Sequence, residues 1–148
     1  MAATTERDIA PFEIGKVRAP IVSRGKSNQQ LVRAGALGVG VQVVSSDSGE
    51  TNLHSHPGMD SAWMVLNGQA KFYTVNDRLL GELGKNEIIS IPAGAPYWFE
   101  AEGSDPLVIL HITSRDPSHQ GGTRIDYTPR DVGGENRVRD LTGEIFEG

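Results

Sequence analysis

At 148 residues, with a net charge of −5 and a pI near 5.3, the chain has the length of one domain, and its charge disfavours nucleic acid or an anionic membrane as the main partner. It has no cysteine, which excludes a disulfide framework and thiolate metal sites. No apolar run approaches the roughly 20 residues of a membrane span, residues 1–8 lack an apolar signal core, and a cytoplasmic location is expected.

The 18 glycines and many short apolar runs point to an all-β protein with frequent turns. Residues 1–29 are mixed, interrupted at Pro11 and Pro20, and read as an N-terminal segment. Residues 31–44 hold one or two strands bent at Gly35, Gly38 and Gly40, and Ser45-Ser46-Asp47-Ser48-Gly49 is a turn by composition. Residues 51–56 form a strand that turns at Pro57-Gly58. Residues 61–66 form another, ended by Asn67-Gly68, the strongest hairpin signal in the chain, with residues 69–75 as the returning strand. Asn76-Asp77 turns again, residues 87–91 stop at Pro92-Ala93-Gly94-Ala95-Pro96, and residues 97–101 and 107–113 complete the strands. Such spacing fits a small sandwich or barrel over residues 30–114. Residues 115–148 are polar and carry both charge signs. The segment reads as a poorly ordered tail or as an arm packed on the barrel or on a partner subunit; Ile125, Tyr127, Val132, Val138, Leu141, Ile145 and Phe146 favour the arm, since disordered tails seldom carry so many large apolar side chains.

Leu53-His54-Ser55-His56-Pro57-Gly58-Met59-Asp60 carries two of the four histidines. Spaced i and i+2 on a strand, their imidazoles share a face. Two neutral imidazoles on one face can bind a divalent transition metal, or can hold a substrate and move protons. His111 lies in the last strand with its parity open, and His119 lies in Ser118-His119-Gln120-Gly121-Gly122, where it reads as solvated.

The chain resembles the cupin superfamily, whose first motif runs G-x5-H-x-H-x3,4-E-x6-G. Gly49 stands one residue too close, His54, His56 and Gly68 match, and Ser61 takes the glutamate position with Asp60 beside it. The second motif runs G-x5-P-x-G-x2-H-x3-N. Asn86 takes the first position, Pro92 and Gly94 match, and Tyr97 and Ala101 replace the histidine and asparagine. The resemblance implies a single double-stranded β-helix, a jelly-roll barrel of about eight or more strands, with residues 1–29 and 115–148 wrapping it. It also implies a homodimer paired through edge strands.

In the family a metal is held by three histidines and a carboxylate, and Mn, Fe, Ni, Cu or Zn would suit such a set. Only His54 and His56 carry over directly; Tyr97, Asp60 or water would complete a centre acting as a Lewis acid. Without a metal, His54 or His56 serves as general acid or base and Tyr97 donates to an oxyanion. Alternation from Ser61 and Tyr97 turns Trp63, Val65, Phe99 and Ala101 inward. Ser61, Trp63, Phe99 and His111 would then bind a small aromatic or partly apolar substrate. The expected function is small-molecule lyase, isomerase or dioxygenase chemistry, with a non-catalytic binding module as the alternative. Alternation also turns Trp98 outward, as a candidate subunit contact.

Overall fold

The computed structural model describes residues 11–46, 49–118, 124–128 and 139–148. Among them the chain forms β1 (Ala19–Ala34), β2 (Leu37–Val44), β3 (Gly49–Ser55), β4 (Met59–Asn67), β5 (Gln69–Tyr73), β6 (Leu79–Leu83), β7 (Ile88–Ile91), β8 (Tyr97–Glu102), β9 (Leu107–Arg115), β10 (Ile125–Thr128) and β11 (Arg139–Phe146). One sheet has the order β11-β1-β2-β9-β4-β7, the other β10-β3-β8-β5-β6. The assigned strand pairs are antiparallel, and the expected all-β double-stranded β-helix is what forms. Among the described residues no helix is long and apolar enough to cross a membrane.

Strand alternation builds the core. Trp63 and Val65 on β4, Phe72 on β5, Tyr97 and Phe99 on β8 and Leu107 and Ile109 on β9 all point between the sheets and pack together. Residues of the opposite parity form a second layer: Val41 and Val43 of β2 and Val108 of β9 pack with Ala19 and Val22 of β1 and with Phe146 of β11. The two layers explain the length of β1. Its first half pairs with β11 and its second half with β2, and Gly25, at φ 78, sits where the strand passes from one partner to the other. The division expected between residues 29 and 30 therefore falls inside a strand.

Asn67-Gly68 makes no hairpin. β4 pairs with β7 and β9, whereas β5 pairs with β6 and β8, so the dipeptide is a corner carrying the chain between sheets. Gly68 has φ 80, and a Cβ there would lie 2.7 Å from the Pro106 carbonyl oxygen. The Asn67 side-chain N–H donates to that same oxygen at 2.9 Å, pinning the corner. β5 instead forms a hairpin with β6 through a 3₁₀ turn at Val75–Asp77, and β6 is a strand the sequence reading passed over.

The C-terminal segment packs on the barrel. β10 pairs with β3, β11 pairs with β1, Phe146 enters the second apolar layer, and the Tyr127 and Ser55 hydroxyls share a 2.8 Å hydrogen bond. Val132, Val138 and His119 lie outside the described residues. Trp98 does leave the core, yet it is buried and stacked on Tyr73, so it is no exposed subunit contact.

Candidate functional site

β3 carries His54 between two neighbours, facing Tyr97 of β8 on one side and Asp126 of β10 on the other. The side chain is 1% exposed. Its Nδ1 lies 2.7 Å from the Asn52 carbonyl oxygen; with Nδ1–H donating, Nε2 keeps its lone pair. Burial pulls the imidazole down to about 4, against a raising contribution from the Asn52 bond, and Arg124 and His56 lower it further.

His56 follows β3 in the turn to β4, where its carbonyl accepts the Met59 and Gly94 amides at 3.3 and 3.1 Å. Its ring meets His54 edge-on at 5.0 Å and 82°. Burial lowers its pKa first, then the guanidinium groups of Arg124 and Arg115. His111, whose parity the sequence left open, faces inward. It sits opposite Trp63 in the β4–β9 register, and its ring lies flat on the indole at 3.7 Å and 6°. Burial, then its neighbours His56, His54 and Arg115, hold it near 3. At neutral pH all three imidazoles are uncharged.

The other expected site residues divide differently. Tyr97 is 2% exposed, 4.5 Å from the His54 ring, and its hydroxyl accepts the Trp63 indole N–H at 3.2 Å. Ser61, in the glutamate position, also bonds that hydroxyl, and burial raises the phenol above its ordinary pKa. Trp63 and Phe99 are interior core, their rings 4.9 Å apart. They are not the aromatic wall of an open pocket, because a barrel this small is filled by its own side chains. Asp60 points outward, and its carboxylate accepts the Ala93 amide at 2.8 Å, bracing the proline-rich turn. It therefore cannot supply the missing carboxylate.

These donors do not fit a complete divalent-metal centre. The carboxylate position is a serine, the second-motif ligand is a phenol whose ionisation burial opposes, and Asp60 beside the carboxylate position faces away. Among the described residues no group of three or more His, Asp or Glu side chains is disposed to hold an ion.

The open recess lies to one side of this core. It measures about 300 Å³ and is bordered by Arg33, Gln42, His56, His111, Thr113 and Arg115, among others. Its wall combines apolar surface from Val39, Val41 and Met59 with polar and basic groups, and Trp63 and Phe99, expected in the pocket wall, do not border it. Two of its atoms, Gln42 Oε1 and His111 Nε2, are buried without a hydrogen-bond partner. Beyond it, Lys26 is held down to about 8 by burial and by Arg124, and Arg124 pairs with Asp126 at 2.9 Å. The sequence reading missed Arg33, Gln42, Arg115, Arg124 and Asp126. The available signal was Gly38-Val39-Gly40, where two glycines on one strand face leave a gap.

Residues 41–113 match the family profile described as "Cupin domain". The match spans just under half of the chain, and the double-stranded β-helix agrees with it. Solved structures share the fold at low identity. A double-stranded β-helix protein from Klebsiella pneumoniae aligns at TM-score 0.59 and 14% identity, over 72% of this chain and 86% of that one. A cupin 2 domain-containing protein from Halorhodospira halophila aligns at 0.55 and 23%, over 72% of each chain. A structure titled a putative mannose-6-phosphate isomerase, from Ralstonia eutropha, aligns at 0.57 and 17%, over 66% and 91%. No curated protein matches the chain.

Proposed function

We propose that this protein is a cupin and a small-molecule enzyme of the lyase or isomerase class, working by general acid–base chemistry. His56 and His111 move protons in the recess, and His54 positions His56 from behind. One observation carries the reading: two imidazoles kept neutral by burial border the same recess, one with an unpartnered ring nitrogen. A neutral imidazole both accepts and donates, so His56 can take a proton from a carbon next to a carbonyl while His111 serves the oxygen. An anionic substrate would offset Arg115 and Arg124, raising the basicity of His56 as it binds. Tyr97 belongs to the interior hydrogen-bond set and takes no direct part.

The non-catalytic module has its own support. Ser61 and Tyr97, in ligand positions of the family, bond to each other inside the core. Solvent deuterium exchange into pyruvate and acetoacetate, followed by NMR, separates the two readings. The enzyme reading expects exchange at least about a hundredfold above buffer, lost in His56→Ala. Exchange at the buffer rate in the unmutated protein refutes it and favours the module. A homodimer is part of the same proposal, supported by the edge strands β6 and β7, which expose Leu79 and Ile88.

A further inference from the structure

One wall of the recess is β2, and Gly38 and Gly40 stand on its cup side. Their register partners are Arg33 and Gln30 on β1, and Thr113 and His111 on β9. With no side chain at either position the floor is bare backbone. A Cβ at Gly38 would come within 3.0 Å of the Thr113 hydroxyl, and one at Gly40 within 3.1 Å of the Gln29 carbonyl oxygen. The recess is thus built into the sequence.

Its polar groups fall into two sets. Arg33 and Arg115 are exposed at the rim, and among the described residues neither guanidinium has an ion-pair partner, in a chain whose net charge is −5. Arginine forks match the planar geometry of a carboxylate. Deeper lie the unpartnered Gln42 Oε1 and His111 Nε2. A buried acceptor left unpaired is costly, and a ligand that donates to it removes the cost. At about 300 Å³ the space is at the small end of small-molecule pockets.

We propose that the recess binds a small hydroxycarboxylate, its carboxylate on Arg33 and Arg115 and its hydroxyl donated to Gln42 Oε1 or His111 Nε2. This names the ligand class of the acid–base site and rests on that reading for the role of the imidazoles, though not for binding itself. Inorganic phosphate offers charge but no carbon-borne hydroxyl for the deep acceptors, so it should bind more weakly.

The test is isothermal titration of the full chain with lactate, malate and mandelate. Each is compared with its deoxy acid (propionate, succinate, phenylacetate), lactate and mandelate also with their amides, and all with inorganic phosphate. At least one hydroxy acid should bind tenfold or more tighter than its analogues and than phosphate. Arg33→Gln and Arg115→Gln, both surface changes, should each lower that affinity tenfold or more. Gln42→Leu, and His111→Asn as the second variant, should bring the hydroxy acid towards its deoxy analogue while the arginine effect persists. No binding by any of the acids, equal binding of an amide, tighter phosphate binding or indifference to both arginine changes would each overturn the proposal. Tight hydroxy-acid binding without deuterium exchange would sink the acid–base reading alone.

Discussion

The imidazole of His111 lies flat against Trp63, in surroundings where burial disfavours its charged form. The same is true of His54 behind it. Both pKa values lie below the 6.5 of a free histidine, at about 3 and 4. As pH falls the unfolded chain therefore takes up these protons first. Their contribution to stability is complete above about pH 6.5 and is lost as pH drops towards the folded values. The slope is about 1.4 kcal/mol per pH unit for each histidine while the unfolded state holds the extra proton. Urea unfolding at pH 7.5, 6.0 and 5.0 should show the decline, and His111→Asn should flatten it by about half. A stability that stays level over this range would show that these rings are not held neutral by the fold. His54 and His56 were legible because their spacing is a chemical pattern. Strict strand alternation from Ser61 turns Asp60 outward, which is where its exposed carboxylate lies. The arginines were invisible because nothing local marks which of many surface cations borders a recess.

Elements were read well where alternation governs and poorly where a dipeptide stood in for geometry. Asn67-Gly68 has the chemistry of a tight hairpin, but the side chains on β4 and β5 belong to facing sheets, and burying both sets requires a corner. The packing of that corner separates two glycines with similar backbones. Gly68 and Gly103 have φ 80 and 84, but only Gly68 has backbone where a Cβ would go. Gly103→Ala should cost about 1 kcal/mol, from conformation alone. Gly68→Ala should cost more than about 2 kcal/mol, because Pro106 must also move. Matched thermal and urea unfolding would check this, and equal losses would mean that the close approach is relieved at no cost. β6 escaped notice because Leu79 and Leu80 are exposed and its alternation is weak. β10 and β11 were masked by polar composition; they are strands because partners need their edges, not because their own sequences demand it.

For the whole molecule, the C-terminal segment is structural cover. β11 closes the free edge of β1, and Phe146 helps to fill the second apolar layer. Ending the chain at residue 138 would expose an unpaired strand with Ala19 and Val22 beside it. Such a protein should melt several degrees lower and associate beyond the state of the full chain, as read by calorimetry and by light scattering after size exclusion; an unaltered molar mass with an unaltered melt would mean that β11 is dispensable. The overall charge tells a related story. An acidic chain that sets Arg33 and Arg115 around one opening would draw small anions there against its own mean field, an attraction that added salt weakens.

The bare stretch of β2 sets the capacity of that opening. Two hydrogen atoms stand where neighbouring strands carry side chains, and they lie away from the main core. A relative bearing alanine or serine at either place would have a shallower bowl only if the Thr113 hydroxyl or the Gln29 carbonyl gave way by a few tenths of an ångström. The size of ligand admitted is therefore tied to how closely β1 and β9 approach β2.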